Sequence, residues 1–227
     1  MKISIEFSKH AKDYNDYNII QNKVIKKLLS GINSKPKNIL DLGCGNGNLC
    51  NEINWKYNHF TGVDFAPGML ELHPKSKKIE AIYGDFNDKT LFDNLLTYQY
   101  DYIVSASALQ WAENLDKVLK NIQKLNAPIA FAIFTENTFK TVFETANISP
   151  LLRSKDKVQE LVKKYFKVKI EVVKYELKFN STHQMFRYIK QSGISGRRNL
   201  LTYKQTKNLI KNYPLKYLEF EVLFIST

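Results

Sequence analysis

Five short apolar runs alternate with stretches of helical periodicity through the first 134 residues of the chain. Runs of this length that are almost continuously apolar are typical of parallel strands, which are buried on both faces of their sheet. Repeated strand–helix–strand units favour right-handed crossovers and a doubly wound sheet. We therefore predict an α/β fold with a Rossmann-like sheet. The five predicted strands are residues 38–42, 59–64, 79–85, 100–106 and 127–134.

The last third of the chain departs from this pattern. Residues 168–179 and 215–225 alternate apolar and polar side chains, as antiparallel strands do when one face is solvated. Apolar residues three and four positions apart predict helices over residues 158–166, 182–190 and 203–211. The sequence thus predicts a mostly parallel sheet with an antiparallel edge strand and a helical cap inserted between the last two strands.

No internal repeat or linker interrupts the 227 residues, so we treat them as a single domain. Within it we expect an N-terminal helical segment over residues 1–34, a core sheet over 35–179 and 213–227, and the cap over 180–212. No apolar stretch is long enough to cross a bilayer and no secretory leader begins the chain, so we expect a cytoplasmic protein without membrane contact. Two cysteines, with four scattered histidines, predict free thiols and no metal site.

A glycine cluster follows the first predicted strand, in the segment Asp41-Leu-Gly-Cys-Gly-Asn-Gly47. Glycines at a strand end allow a cofactor to lie against bare backbone, next to free N–H groups at the start of a helix. A dinucleotide-binding turn has the spacing G-x-G-x-x-G, which would require a third glycine at position 48. That position is Asn48, and the third glycine is Gly47 instead. The spacing therefore argues against a nicotinamide dinucleotide.

Acidic residues end the next two predicted strands and favour a nucleoside at the same edge of the sheet. Asp64 ends the second strand, where its carboxylate can accept hydrogen bonds from both hydroxyls of a ribose. Asp85 ends the third strand and can accept from the amino group of an adenine, while Met69 can cover an adenine face. Taken singly, the glycines are also typical of turns and the acids of helix N-caps, and for Asp85 alone the two explanations are equal. Together, at successive strand ends, they predict a nucleoside cofactor.

These motifs resemble those of the class I S-adenosylmethionine-dependent methyltransferases, and the resemblance extends over nearly the whole chain. The segments ILDLGCGNG, VDFAPGML and YGDF, which begin at positions 39, 63 and 83, carry it. Within the class, the chain is similar to the malonyl-acyl-carrier-protein O-methyltransferases of biotin synthesis. Four further motifs carry that similarity: F-x-x-x-A-x-x-Y at Phe7, Ala11 and Tyr14 with Gln21 after it, S-A-L-Q-W at Ser107–Trp111, F-T-x-x-T-F at Phe134–Phe139, and R-x-x-K at Arg187 and Lys190 with Gly193.

The resemblance implies a methyl transfer from S-adenosyl-L-methionine, which leaves as S-adenosyl-L-homocysteine, to the free carboxylate of a malonyl thioester. A carboxylate is already ionised at neutral pH, so this reaction needs no general base. Tyr14 and Trp111 would enclose the reacting groups, and Lys190 or Arg187 would hold the malonyl carboxylate. The cofactor would be bound by Asp41, Gly43, Cys44, Gly45, Gly47, Asp64, Phe65, Met69, Gly84, Asp85, Phe86, Ser105 and Leu109.

Nearly all of the net charge of +12 lies in the last third of the chain. Residues 151–227 contain 17 Lys and Arg against 6 Asp and Glu, a net of +11, which leaves +1 for residues 1–150. Such a field would steer an acidic acyl carrier protein towards a monomeric enzyme. Two alternatives remain open, a small dicarboxylate such as trans-aconitate as the acceptor and, less favoured, an RNA substrate. A codon bias towards Lys is a further explanation of the charge.

Overall fold

The computed structural model describes residues 18–191 and 202–227, without the side chains of Lys190, Gln191 and Tyr203. In this part of the chain, seven strands form one sheet with helices on both faces. The strands are β1 (Asn38–Leu42), β2 (His59–Asp64), β3 (Ile79–Tyr83), β4 (Tyr102–Ala106), β5 (Ile129–Phe134), β6 (Lys169–Lys178) and β7 (Tyr217–Ser226).

Nine α-helices are described in these two ranges, together with a short 3₁₀ helix at Leu109–Trp111. None of them is long and apolar enough to span a bilayer. The helices are α1 (Ile19–Ser30), α2 (Asn48–Glu52), α3 (Pro67–Leu72), α4 (Lys89–Leu95), α5 (Leu115–Lys124), α6 (Lys140–Ala146), α7 (Lys155–Tyr165), α8 (Thr182–Gln191) and α9 (Tyr203–Asn212).

The strands lie in the order β3-β2-β1-β4-β5-β7-β6. The first five are parallel, and β7 runs antiparallel to both β5 and β6 at one edge of the sheet. The predicted doubly wound, mostly parallel sheet is therefore confirmed. The strand order reverses between β1 and β4, and ligands of such sheets bind beyond the carboxyl ends of the strands at this switch point.

Two apolar layers cover the sheet and fix its position relative to the helices. On one face, α1 packs against β4 and β5 through Ile20, Val24 and Leu28, which are buried. On the other face, the apolar side of α5, formed by Leu115, Val118, Leu119 and Ile122, is buried together with α4 and α7. Burial on both faces explains why β1, β4 and β5 are almost continuously apolar.

Five of the seven predicted strands have limits that differ from the observed ones by one or two residues, and in two of them a side chain binds the backbone at that point. The third strand ends at Tyr83 instead of residue 85, since Asp85 Oδ1 accepts from the backbone N–H of Asn87 at 2.9 Å and forms a turn. The fourth strand begins at Tyr102 instead of residue 100. Asp101 Oδ2 accepts there from the backbone N–H of Asn38 at 2.9 Å.

The F-T-x-x-T-F motif joins the end of β5 to β7. Glu221 of β7 is only 3% exposed, and its Oε1 accepts from Thr135 Oγ1 at 2.6 Å and from Asn137 Nδ2 at 2.9 Å. Thr138 Oγ1 donates to the Glu221 carbonyl at 3.2 Å. A buried carboxylate is tolerated when such partners are present. The described contacts of this motif therefore hold the sheet together.

Candidate active site

A cleft opens at the carboxyl ends of the parallel strands, at the switch point. Its walls come from the loop between β1 and α2, from α1, and from the ends of β2, β3 and β4. Ten of the predicted cofactor residues line it, and so does Trp111. Those ten are Asp41, Gly43, Cys44, Gly45, Asp64, Phe65, Met69, Gly84, Asp85 and Phe86.

The glycine loop needs its glycines for two different reasons. Gly43, Gly45 and Gly47 all have positive φ, of 79°, 54° and 84°. A Cβ at Gly43 would lie 2.2 Å from Ala108 Cβ, so this position also requires close packing. A Cβ at Gly45 would meet nothing within 4 Å. Gly45 therefore leaves bare backbone beside open space in the cleft, as a bound cofactor would require.

Asp64 ties the end of β2 to the glycine loop. Its Oδ2 accepts from the backbone N–H of Gly45 at 2.9 Å and its Oδ1 from that of Ala66 at 2.8 Å. Burial raises the pKa of Asp64 to about 6, and these backbone hydrogen bonds oppose the rise. The carboxylate is thus held in a fixed orientation at the cleft.

Asp41 is the most deeply buried acidic residue of the cleft, at 1% exposed. Burial, followed by the nearby charge of Asp64, raises the pKa of Asp41 to about 8. Its Oδ1 is buried and has no hydrogen-bond partner in the described part of the chain. Such an acceptor fits a ligand that brings a positively charged donor, as S-adenosylmethionine would.

Two further residues predicted to bind the nucleoside, Met69 and Asp85, line the cleft after β2 and β3. Met69 on α3 is 2% exposed and lines the cleft, as does Asp85 just after β3. Asp85 Oδ1 also accepts from Asn87 Nδ2 at 2.8 Å, which fixes its side chain. These positions fit the predicted roles at an adenine.

Three predicted cofactor residues do not line the cleft, and each has a structural role at its own position. Ser105 is fully buried and its Oγ donates to the Leu42 carbonyl at 2.7 Å, which joins β4 to β1. Leu109 is also fully buried, in the apolar core. Gly47 caps the start of α2, and a Cβ there would lie 2.3 Å from Pro74 Cδ.

The predicted catalytic residues fall into three groups. Trp111 lines the cleft, at the end of the 3₁₀ helix. Arg187 is exposed on α8 and is not among the residues that line the cleft. Tyr14 lies outside the described residues, and the side chain of Lys190 is not described.

Other cleft residues were not assigned a role from the sequence. Gln21 and Ile25 of α1, the helix that precedes β1, also line the cleft. Ser107 lines it in a left-handed conformation, with φ of 63°, and its buried Oγ has no partner among the described residues. A backbone strained in this way at a cleft is typical of a functional position.

Arg153 holds the wall of the cleft that carries Trp111. Its guanidinium donates to the carbonyls of Gln110 at 3.2 Å and Glu113 at 3.1 Å, and also to that of Ala112. These carbonyls belong to the 3₁₀ helix and the residues after it, about 40 positions earlier in the chain. A contact between a side chain and backbone carbonyls so distant in the sequence cannot be predicted from sequence periodicity.

The chain is similar to known methyltransferases. Residues 40–131 match the model of a methyltransferase domain. A malonyl-[acyl-carrier protein] O-methyltransferase of Acetivibrio thermocellus is 31% identical over 155 residues, which are 63% of this chain and 54% of that protein. One of the same name from Brevibacillus brevis is 24% identical over 227 residues, 92% of this chain and 76% of that protein. The chain spans about half the length of the first curated relatives that it matches.

Solved structures share the fold at low sequence identity. The YcgJ protein of Bacillus subtilis has a TM-score of 0.63 and 11% identity, over 90% of this chain and 96% of that one. Phosphoethanolamine N-methyltransferase 2 of Haemonchus contortus, in complex with S-adenosyl-L-methionine, has a TM-score of 0.54 and 16% identity, over 92% of this chain and 52% of that one. In its sheet, its glycine loop and these similarities, the chain resembles the class I S-adenosylmethionine-dependent methyltransferases and, among them, the malonyl-[acyl-carrier protein] O-methyltransferases.

Proposed function

We propose that this protein transfers a methyl group to the free carboxylate of a malonyl thioester on an acidic acyl carrier protein, as a step of biotin precursor synthesis. The observation that carries the proposal is the similarity to relatives named for this reaction, which in one case extends over 92% of the chain. The product would be the methyl ester, whose uncharged end resembles a fatty acyl chain. S-adenosyl-L-homocysteine would be released.

The cleft supports a reaction that moves no proton. When bound, S-adenosylmethionine supplies an electrophilic methyl group on a sulfonium. A carboxylate acceptor has a reference pKa of about 4 and is ionised without the help of a base. Burial and the charges of Asp41 and Asp64 raise the pKa of the Cys44 thiol well above its usual value, so this thiol remains protonated. The protein then contributes binding, orientation and the exclusion of water.

Orientation depends on two walls of the cleft. The wall that carries Trp111 is fixed by the Arg153 guanidinium through backbone carbonyls. A second wall is the glycine loop, held by Asp64 through the Gly45 N–H. Because the reacting atoms must come within about 3 to 3.5 Å of each other, two rigid walls favour the transfer. A dry site further favours the meeting of a carboxylate and a sulfonium, because both charges are neutralised.

Exposed basic residues of the cap support an acidic partner. Arg187 lies on α8, and Lys204, Lys207 and Lys211 lie on α9, all with exposed side chains. Positive charges grouped on the cap raise the rate of encounter with an acidic protein, and salt screens this effect. We assign these residues to the steering of the carrier protein and not to chemistry.

A labelling experiment tests the proposal. The purified protein is incubated with methyl-labelled S-adenosylmethionine and, separately, with malonyl carrier protein, malonyl-coenzyme A, trans-aconitate and total tRNA. We expect the label on malonyl carrier protein as an ester that mild base removes. Label only on tRNA, or only on trans-aconitate, contradicts the proposal. Asp64→Ala is the matched variant, because it should lower every activity that depends on the cofactor.

A further inference from the structure

The hydroxyl of Ser107 has no hydrogen-bond partner in the described part of the chain. Ser107 directly follows β4 and lines the cleft, and its Oγ is buried. Ser105 of the same strand differs, because its hydroxyl donates to the Leu42 carbonyl. A buried hydroxyl without a partner is costly, so such groups are rare unless a ligand or a water completes them.

The backbone at Ser107 is strained and is held in that state by its neighbours. Its φ of 63° lies in the left-handed region, which Gly and Asn enter at lower cost than Ser. Two other positions with positive φ, 126 and 147, do carry Asn. The Ser107 N–H donates to the Ala132 carbonyl at 2.9 Å, and the Ser107 carbonyl accepts from Gln110 Nε2 at 2.6 Å. The surroundings therefore impose the conformation, and the presence of Ser is explained by its hydroxyl.

The strand order separates Ser107 from the residues that fit a nucleoside. Asp64 and Asp85 follow β2 and β3, whereas Ser107 follows β4, and β2 and β4 lie on opposite sides of β1. The turn after β4 also packs against the glycine loop, since a Cβ at Gly43 would lie 2.2 Å from Ala108 Cβ. Ser107 is therefore placed where an acceptor, and not the nucleoside, would meet the glycine loop.

The charges of the cleft indicate what this hydroxyl can bind. The charged side chains among the described residues that line the cleft are Asp41, Asp64 and Asp85, all of them acidic, and no Lys or Arg of the described residues lines it. On the β4 side, Ser107 and Trp111 supply neutral O–H and N–H donors. A hydrogen bond from a hydroxyl to an ionised carboxylate is about twice as strong as one between neutral groups. A carboxylate is therefore the acceptor group that gains most from Ser107.

We propose that the Ser107 hydroxyl donates a hydrogen bond to the carboxylate of the methyl acceptor and so selects acceptors with a free carboxylate. This inference rests on the proposed function for the class of acceptor. While the hydroxyl holds one carboxylate oxygen, the other oxygen forms the new bond to the methyl carbon. The bond between that carbon and sulfur breaks, its electron pair stays on sulfur, and no proton is transferred.

The test compares two carrier proteins that differ in the free carboxylate. Malonyl carrier protein has it, whereas acetyl carrier protein does not. Ser107→Gly removes the hydroxyl and adopts the positive φ without strain. With S-adenosylhomocysteine present, we expect the affinity of this variant for malonyl carrier protein to fall about tenfold, the loss of one hydrogen bond to a charged group, and its affinity for acetyl carrier protein to stay unchanged. Isothermal titration calorimetry measures both affinities.

Two further variants complete the experiment. Asn126→Gly is the matched control, because it also places a glycine at a positive φ but precedes β5, at the other end of the strands. It should leave both affinities unchanged. Ser107→Cys keeps the shape of the side chain and offers only a weak S–H donor, so it should weaken the binding of malonyl carrier protein alone.

Three results would overturn the inference. An equal loss for both carrier proteins in Ser107→Gly would mean that Ser107 only shapes the cleft. No loss for malonyl carrier protein in either Ser107 variant would mean that the hydroxyl does not bind the acceptor. A loss of affinity for S-adenosylmethionine, measured without a carrier protein, would assign the hydroxyl to the cofactor.

Turnover distinguishes a failure of this inference from a failure of the proposed function. If the unchanged protein methylates malonyl-coenzyme A and not malonyl carrier protein, the proposed function is refuted. The comparison is then made with malonyl- and acetyl-coenzyme A, and Ser107→Gly should lower kcat/KM for malonyl-coenzyme A about tenfold. If malonyl carrier protein is methylated equally fast by the unchanged protein and both Ser107 variants, the inference alone is refuted.

Discussion

The affinity for S-adenosylmethionine should rise with pH, because the apo protein must lose a proton from Asp41 to bind a cation. Burial and the charge of Asp64 raise the pKa of Asp41 to about 8, so the free protein holds this carboxyl group mostly protonated at neutral pH. The cationic ligand favours the ionised form and should lower the pKa of Asp41 in the complex. Binding and deprotonation are therefore linked.

The size of the effect follows from the fraction of Asp41 that is ionised. With a pKa of about 8 that fraction rises about 25-fold between about pH 6 and about pH 7.5, equivalent to about 1.9 kcal/mol of binding free energy. Asp64, with a pKa of about 6, adds only about a factor of two over the same range. The α-ammonium of the ligand has a reference pKa of about 8, so about a quarter of it is neutral at about pH 7.5, and the comparison ends at that pH.

Calorimetry at several pH values, with Asp41→Asn as the matched variant, measures this dependence. The variant should bind more weakly at about pH 7.5 and keep only the twofold change attributed to Asp64. Titrations at about pH 7 in buffers with different ionisation enthalpies should also show the release of nearly one proton for each bound ligand. An affinity that does not change with pH in the unchanged protein, or a slope that survives in Asp41→Asn, would refute the reasoning.

Three other perturbations test separate parts of the structure. Without ligand, the raised pKa of Asp41 makes the free energy of unfolding fall as pH rises from about 4 to about 8. In urea titrations, the gain in stability of Asp41→Asn over the unchanged protein should therefore be larger at about pH 7.5 than at about pH 5. Arg153→Met should free the Gln110 carbonyl and lower kcat on malonyl carrier protein about tenfold with little change in cofactor affinity, and Arg153→Lys should recover part of the loss. Arg187→Glu should slow association with the carrier protein at low salt and have no effect at high salt, in stopped-flow measurements, whereas S-adenosylmethionine binding stays constant.

The sequence alone predicts the parts of this molecule that depend on local periodicity. The five parallel strands and the two antiparallel ones follow from the apolar pattern. A strand buried on both faces is almost continuously apolar, whereas a strand with one solvated face alternates apolar and polar residues. The glycine loop, Asp64 and Asp85 were also found, since each lies at a strand end and strand ends meet at one edge. The position of the last strand between β5 and β6 was not found. It depends on non-local contacts such as those of Glu221, which no periodicity records.

Hydrogen-bond accounting separates the two kinds of buried polar residue that sequence analysis groups together. Ser105 and Asp41 both lie on central strands and both matched the expected cofactor site. The Ser105 hydroxyl donates its one hydrogen to a neighbouring strand and is fully buried away from the cleft, whereas Asp41 Oδ1 lines the cleft and has no partner among the described residues. The same comparison separates Glu221, whose carboxylate accepts two side-chain hydrogen bonds, from Gln21, whose buried oxygen accepts none. A fold can satisfy its buried polar groups wherever it is complete by itself. Those left without partners at a cleft, here Asp41, Gln21 and Ser107 among the described residues, therefore mark the surface that a ligand would complete.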